Sequence, residues 1–252
     1  MSARIPKEGG RVLITGASGR LGCAIRQAFA REDVTVVGLA RHPGTGIEFT
    51  ADILDPAAVR RVFEQASPEI IIHTAALADV EVCEQQPDLA HAINARATGE
   101  VARAAKAIGA HMVSLSTDYV FDGDCGSYLE MAPARPLSVY GRSKYEGECR
   151  VLDIEPSFAV VRTSWLHGGP GRHFPRRVLS SIRKYGSIPA PVDERSSPTG
   201  VDDVSIALAC LSTLRSGGIF HLVNSGSASR YEFARAVAAL AGYDEQAVHA
   251  VT

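Results

Sequence analysis

Short runs of β-branched and other apolar residues alternate along the first two thirds of the chain with longer stretches of helical periodicity. The apolar runs have the length of strands and lie at residues 11–15, 34–38, 69–72, 111–115 and 158–162. The stretches between them are often rich in alanine and predict helices at residues 21–31, 56–66, 87–108 and 138–152. Strand and helix in this alternation are typical of βαβ units, so the sequence predicts a parallel sheet with helices on both faces.

The pattern changes after Arg162, where loops rich in glycine and proline appear at residues 168–171 and 188–191. The remaining periodic segments predict helices and one strand (219–223), the helices lying at residues 174–185, 201–214 and 230–240. We therefore expect an α/β fold with a doubly wound, Rossmann-like parallel sheet and a smaller C-terminal substrate-binding lobe.

The sequence also predicts how the chain divides between these two parts. Residues 1–164 are expected to form the dinucleotide-binding domain, to which residues 201–224 return. Residues 165–200 and 225–252 are expected to form the smaller lobe.

A glycine-rich loop follows the first predicted strand directly and leads into the first helix, in G-x-x-G-x-x-G spacing. Glycine is needed where the backbone turns sharply or approaches a pyrophosphate, and a helix N-terminus offers N–H groups to phosphate oxygens. The loop therefore predicts dinucleotide binding, with a merely tight structural turn as the alternative. The expected contacts are Gly16, Ser18, Gly19, Arg20, Leu21 and Gly22.

The end of the second strand bears on which dinucleotide is bound. An NAD site usually has an acidic residue there for the ribose 2′-hydroxyl, but this chain has Arg41, whose planar guanidinium suits a 2′-phosphate. NADP(H) is therefore favoured, while NAD(H) and a merely solvated Arg41 stay open. Asp52 and the adjoining Ile53 are expected on the adenine side, where a plain capping role for Asp52 is an equal alternative.

Tyr140 and Lys144 are four residues apart in a predicted helix and therefore share one face. A ketone that accepts hydride needs a proton on its oxygen, and a neighbouring ammonium is expected to lower the pKa of a tyrosine from its usual ~10. Tyr140 is thus the predicted proton donor, Lys144 would also bind the nicotinamide ribose, and Thr117 would donate to the substrate carbonyl. The alternative is an amphipathic surface pair.

The composition narrows the possible classes of protein. The chain has 252 residues, 46% of them hydrophobic, and a net charge of −2, which is ordinary for a globular protein and implies no attraction to nucleic acid or an anionic membrane. The five cysteines are scattered without C-x-x-C spacing, which argues against disulfides and zinc. We expect a cytoplasmic protein, because residues 1–8 lack a signal-peptide core and no apolar run could span a bilayer.

Five segments together resemble the extended short-chain dehydrogenases/reductases, and within them the dTDP-4-dehydrorhamnose reductase family. They are residues 16–22, 73–76 (HTAA), 116–123 (STDYVFDG), 140–144 (YGRSK) and 162–165 (RTSW). The resemblance implies NADPH-dependent reduction of the 4-keto group of a nucleotide-linked 6-deoxysugar, as in dTDP-rhamnose biosynthesis. It implies catalysis by Thr117, Tyr140 and Lys144 and cofactor contacts at Ala75 and Ala76. The substrate contacts it implies are Asp118, Trp165, Pro198 and Thr199, with an ordinary packing aromatic as the alternative for Trp165.

The chain also departs from the family's pattern in three places. The family segment D-Q-x-G-x-P-T reads DERSSPT at residues 193–199, with Glu194 in place of glutamine and without the glycine, so the sugar is left open. Ala24 stands where some members hold Mg²⁺ at a dimer contact, so no metal is expected, and a homodimer stays open. Relatives usually continue beyond the position of Thr252, so the sequence leaves open whether the lobe is whole.

Two other functions compete with reduction. A non-catalytic NADP-binding regulatory subunit, similar to that of methionine adenosyltransferase, is the main alternative and is motivated by the altered loop. A dehydratase or epimerase is disfavoured, because Thr117 is followed by Asp118 and Tyr119 and not by an acidic pair.

Overall fold

The computed structural model describes residues 10–29 and 34–252, so the end of the first predicted helix (30–31) and the segment 1–8 lie outside the described residues. The strands are β1 (Arg11–Thr15), β2 (Thr35–Ala40), β3 (Phe49–Thr50), β4 (Ile70–His73), β5 (His111–Thr117), β6 (Ala159–Thr163), β7 (Leu166–His167), β8 (Ile188–Pro191), β9 (Arg195–Ser196), β10 (Thr199–Gly200), β11 (Gly218–His221), β12 (Ala228–Ser229) and β13 (Val248–Val251). The α-helices are α1 (Arg20–Phe29), α2 (Pro56–Ala66), α3 (Val80–Gln85), α4 (Pro87–His91), α5 (Thr98–Ala107), α6 (Val139–Ile154), α7 (Phe174–Tyr185), α8 (Val201–Leu214) and α9 (Arg230–Leu240).

The chain folds into two compact units. The first runs up to Thr163 and also holds Ser205–Leu222, and the second consists of Ser164–Val204 and Val223–Thr252. Which functional role each unit has, dinucleotide binding or substrate binding, stays a prediction.

The first unit is built on a seven-stranded sheet in the order β11-β6-β5-β4-β1-β2-β3, in which every neighbouring pair is parallel. The strand order reverses between β1 and β4, which is the point where open α/β sheets bind ligands beyond the carboxyl ends of their strands. The predicted α/β class with a doubly wound parallel sheet is confirmed.

The core of this unit lies between the sheet and the helices that cross it. Leu13, Ile71 and Met112 lie side by side in β1, β4 and β5, and they pack with Phe63 of α2 and Val101 of α5. Helix α2 begins at Pro56, the first residue of the predicted range, and the side chain of Asp55 caps it by accepting hydrogen bonds from the backbone N–H groups of residues 57 and 58.

The helix predicted over residues 87–108 is not one α-helix. It consists of α4, a π-helical segment (Ala92–Ala97) and α5, and Gly109, at φ +71°, follows its end. The interruption coincides with the buried Asn94, whose side chain hydrogen-bonds to the backbone of Leu77, a contact between distant segments that periodicity does not reveal. A π-bulge inside an α-helix often marks a functional site.

In the second unit, α7 and α9 pack against the parallel pair of β8 and β13 around Val178, Ile182, Ala234 and Val248. The prediction of a loop at residues 188–191 is wrong, because this segment forms β8. A strand containing Pro189 and Pro191 lacks two N–H donors, which is why its sequence does not indicate a strand.

Candidate active site

The glycine-rich loop makes a sharp turn between β1 and α1. Gly16 has φ +69°, and a Cβ atom there would lie 2.8 Å from the backbone nitrogen of Ala75. A Cβ atom at Gly22 would lie 2.6 Å from the carbonyl oxygen of Gly16, so helix and strand approach too closely for a side chain. The turn is closed by a 2.9 Å hydrogen bond from the N–H of Gly19 to that same oxygen.

This geometry fits a dinucleotide. The first N–H groups of a helix have no acceptor within the helix, and α1 begins at Arg20, immediately after the turn. The loop therefore directs backbone donors and the positive end of a helix dipole toward the carboxyl end of β1, where a pyrophosphate would be held.

The end of β2 presents a guanidinium and no carboxylate. Arg41 is exposed just after Ala40, and its Nε donates to the ring of His42 over 3.3 Å. The carboxylate of Glu48 is engaged elsewhere, since it accepts from the backbone N–H of Gly38 and pairs with Arg26. Arg41 is thus available to a ligand at the position where an acidic residue would favour NAD.

Asp52 is exposed, and its side-chain oxygen accepts a 2.9 Å hydrogen bond from the N–H of Leu54. The local capping role is therefore present in the structure. It leaves the second carboxylate oxygen for the predicted contact with adenine, which stays a prediction together with that of Ile53.

Three predicted catalytic side chains meet at the carboxyl end of β5 and the beginning of α6. Ser138 caps α6 by accepting from the N–H of Gly141, so that Tyr140 and Lys144 lie in its first two turns. The hydroxyl of Thr117, the last residue of β5, forms a hydrogen bond with Tyr140. When it does not donate its single proton to Tyr140, the same hydroxyl donates to Asp118 over 3.2 Å.

Lys144 is buried beneath this cluster. Its Nζ donates to the carbonyl oxygen of Leu115 over 2.6 Å, which fixes the long side chain against β5. Burial lowers the pKa of Lys144 to about 8, and the negative charge of Glu148 acts in the opposite direction.

The pKa of Tyr140 is not lowered, as the sequence led us to expect, but raised. Burial raises the pKa of Tyr140 above its ordinary value, while the hydrogen bond with Thr117 acts to lower it. The ammonium of Lys144 is directed at Leu115, and desolvation of the phenolate dominates. Tyr140 is therefore protonated at neutral pH, which is the form that a proton donor needs.

A buried ion pair behind this cluster was not predicted from the sequence. The guanidinium of Arg162 on β6 donates to the carboxylate of Glu148 over 2.6 to 3.2 Å, and both side chains are at most 4% exposed. Glu148 lies one helical turn after Lys144. Two features of the sequence could have indicated this pair. Glu148 lies four residues after Lys144 on the same helix, and Arg162 is a charged residue within the apolar run 158–162.

Two further buried polar residues support the site and were also missed. Asn94 donates to the hydroxyl of Ser143 over 3.0 Å, which ties the π-helical segment to α6 between Tyr140 and Lys144. His73 lies between the hydroxyls of Thr15 and Thr98 at 2.7 and 3.1 Å, and burial lowers its pKa to about 3. Neither residue falls in a pattern that predicts a buried polar contact.

The remaining predicted site residues are placed as follows. Ala75 packs against Gly16 in the first unit, and Ala76 beside it is exposed. Trp165 and Thr199 belong to the second unit, where the N–H of Thr199 donates to the carbonyl oxygen of Trp165 over 3.4 Å. Pro198 directly precedes Thr199. Among the described residues, no group of three or more His, Cys, Asp or Glu side chains could hold a metal ion.

Comparison with known proteins agrees with this geometry. A family model described as the RmlD substrate binding domain matches residues 10–252. A dTDP-4-dehydrorhamnose reductase of Mycobacterium tuberculosis is 37% identical over 249 residues, which cover 96% of this chain and 79% of that protein. A probable dTDP-4,6-dihydroxy-2-methyloxan-3-one 4-ketoreductase of Streptomyces antibioticus is 34% identical over 245 residues, covering 96% of this chain and 81% of that protein.

The crystal structure of a dTDP-4-dehydrorhamnose reductase from Bacillus anthracis, in complex with NADP, superposes with a TM-score of 0.89 at 34% identity. It covers 97% of this chain, which in turn covers 85% of that structure. Fold and site define an extended short-chain dehydrogenase/reductase. The chain belongs to the dTDP-4-dehydrorhamnose reductase family, as the five sequence segments predict. No helix among the described residues is long and apolar enough to cross a membrane.

Proposed function

We propose that the protein is an NADPH-dependent reductase that converts the 4-keto group of a nucleotide-linked 6-deoxysugar into an alcohol. The observation that carries the proposal is the cluster of Thr117, Tyr140 and Lys144 at the carboxyl end of β5, in a chain of this family. The two relatives described above are named as reductases of dTDP-linked keto-sugars.

The phenol of Tyr140 is the proton donor in this proposal. It is protonated at neutral pH because burial raises its pKa, and its hydroxyl hydrogen-bonds with Thr117, so both groups can address one carbonyl oxygen. Bound NADPH supplies the hydride that the carbonyl carbon accepts. As the proton leaves the Oη of Tyr140, the ammonium of the nearby Lys144 favours the phenolate that remains.

The cofactor would be held by the loop from Gly16 to Gly22 and by Ala75, Ala76, Asp52 and Ile53. The Arg41 guanidinium would bind the 2′-phosphate and set the preference for NADPH, because a charged hydrogen bond contributes about 1.5–3 kcal/mol. Replacement Arg41→Ala should raise KM for NADPH roughly 10- to 100-fold and leave KM for NADH within about twofold. Arg60→Ala, at an exposed position of α2, is the matched control. Equal losses with both cofactors would contradict the role of Arg41.

The substrate side would include Asp118, Trp165, Pro198 and Thr199, with the second unit as the substrate-binding lobe. The resemblance and the family membership support this assignment. A cytoplasmic location and a homodimer stay predictions from the sequence.

The test is turnover of purified protein with NADPH and a panel of nucleotide-linked 4-keto-6-deoxyhexoses, with the product's stereochemistry read by NMR. Tyr140→Phe should lower kcat by about 10²–10⁴-fold while the Kd for NADPH stays within about twofold. Tyr145→Phe, on the same helix and more exposed, should keep full activity.

Two results would count against the proposal. Normal turnover by Tyr140→Phe would remove the assigned proton donor. Absence of turnover with every sugar, together with a stoichiometric protein partner, would favour the regulatory subunit that the sequence also allows.

A further inference from the structure

Trp165 holds a backbone conformation that its residue type rarely adopts. Its φ is +37°, in the left-handed region, where a bulky side chain is strained. Such residues persist only where their surroundings enforce them, and they cluster at sites of function.

The backbone on both sides of Trp165 is fixed within the second unit. Thr199 donates its N–H to the carbonyl oxygen of Trp165, and β7 and β10 pair directly afterwards. The hydroxyl of Ser164 donates to the carbonyl oxygen of Ser197 over 2.5 Å. These contacts fix the backbone around Trp165, but none of them involves the indole ring, which other groups must orient.

The indole is covered by the guanidinium of Arg230, the first residue of α9. The Cζ atom of Arg230 lies 3.5 Å from the centre of the Trp165 ring, a distance at which a planar guanidinium stacks on an aromatic face. The ring of Phe174 lies 5.0 Å from the same Cζ atom. Arg230 thus contacts two aromatic side chains, and its own side chain is only 17% exposed.

Glu194 in turn fixes Arg230 by two contacts. Its carbonyl oxygen accepts from the backbone N–H of Arg230 over 3.0 Å, and its carboxylate accepts from the Nε of the guanidinium over 3.3 Å. The antiparallel pairing of β9 with β12 holds the two segments side by side. Glu194 is the residue that replaces the glutamine of the family's segment, so this chain has a charge where the family's pattern has an amide.

We propose that Glu194 and Arg230 are positioning residues that hold the Trp165 indole in one orientation and so set how the sugar ring packs against it. This inference rests on the proposed function, in which Trp165 faces the sugar. A full charge at Glu194 pairs with a full charge at Arg230, so the guanidinium is bound more firmly on the indole than by an amide. Arg230 occupies one face of the ring, and in this proposal the C–H surface of a deoxysugar packs on the other face.

The orientation of the ring can be measured directly, because Trp165 is the only tryptophan in the chain. Arg230→Gln should uncover one ring face, shift the emission of the folded protein to longer wavelength and raise the acrylamide quenching constant roughly twofold. Glu194→Ala should change the emission wavelength and the quenching constant in the same direction. Glu194→Gln keeps an acceptor for Nε, so its values should lie between those of Glu194→Ala and those of the unsubstituted protein.

Arg235→Gln is the matched control on the same helix, since Arg235 also pairs with an acid, Glu245, and lies over a ring, that of Tyr231. It should leave the emission of Trp165 unchanged. The fold of each variant is checked by circular dichroism, and if Arg230→Gln fails to fold, Arg230→Lys and Glu194→Gln supply the same comparison.

Steady-state kinetics of the same variants test whether this orientation of Trp165 affects binding of the sugar. Arg230→Gln and Glu194→Ala should raise KM for the nucleotide sugar roughly five- to tenfold, with kcat and KM for NADPH within about twofold. Unchanged emission and quenching in these variants would overturn the positioning of Trp165 whatever their activity. Altered emission with unchanged KM would overturn the role in recognition. Failure of the proposed function itself would show separately, as absence of turnover by the unsubstituted protein.

Discussion

The carboxylate of Glu148 accepts three hydrogen bonds from the guanidinium of Arg162, in a contact that is almost fully buried. The pair joins α6 to β6 one helical turn behind Lys144. The negative charge of Glu148 also opposes the effect of burial on the pKa of Lys144. One ion pair therefore fixes the helix that carries Tyr140 and Lys144 and moderates the electrostatic environment of the lysine.

Removing one partner of this pair should be costly. Glu148→Gln removes the carboxylate that pairs with the buried guanidinium of Arg162, and breaking a buried pair in this way typically destabilises a protein by about 3–5 kcal/mol. Urea unfolding at pH 7 measures the loss. Glu146→Gln is the matched control on the same helix, because Glu146 pairs with Arg150 at the surface and should cost less than about 1 kcal/mol. Equal losses in the two variants would contradict the importance of burial.

Activity should fall in mildly alkaline solution. The pKa of Lys144 is about 8, so the ammonium that we propose favours the Tyr140 phenolate is lost as the pH rises through that value. The profile of kcat/KM with NADPH as the varied substrate reports the free protein and should decline above about pH 8. Lys106→Gln, on the exposed side of α5, should leave the decline in place. A profile flat to pH 10 would exclude Lys144 as the titrating group.

Acid should destabilise the fold through His73. The folded pKa is lowered to about 3 from 6.5, so below pH 6.5 the unfolded chain binds a proton that the folded protein does not. Stability is then lost progressively between pH 6.5 and pH 3, and a single such group contributes about 2 kcal/mol between pH 7 and pH 5.

Urea unfolding at these two pH values measures this loss. The variant His73→Asn should reduce the difference by about that amount. The control His249→Gln, at an exposed position of β13, should retain the difference seen in the unsubstituted protein.

Substitutions at Gly16 and Gly109 distinguish the cost of backbone strain from the cost of steric overlap. Both have φ near +70°, but a Cβ atom at Gly16 would overlap Ala75, whereas nothing lies within 4 Å of one at Gly109. Gly109→Ala should therefore cost only the conformational term of about 1–2 kcal/mol. Gly16→Ala should cost about 1–3 kcal/mol more because the neighbours must move. Thermal unfolding of both variants checks this, and similar losses would show that the neighbours of Gly16 yield freely.

The sequence predicts those features whose signal is local. Strands β1, β4 and β6 are short apolar runs, α2 begins with Asp55 and proline, and the glycine spacing follows a strand, so periodicity and capping suffice. The π-helical segment, the Glu148–Arg162 pair and the contact between Arg230 and Trp165 depend on residues far apart in the chain. Their formation is decided by packing and burial.

The same distinction explains the incorrect expectation for the pKa of Tyr140. The sequence places an ammonium four residues away but does not show that it donates to Leu115, nor how far the phenol is desolvated.

The two prolines of β8 bear on how readily its open edge could pair with another strand. Val192, just after the strand, donates its N–H to Val251 of β13, and the sides of a strand to which N–H groups point alternate from residue to residue. The nitrogens of Pro189 and Pro191 therefore face away from β13. Their lack of N–H groups removes no hydrogen bond between β8 and β13. The open side of β8 is left with fewer donors for an incoming strand, which protects the two-stranded sheet from edge-to-edge aggregation.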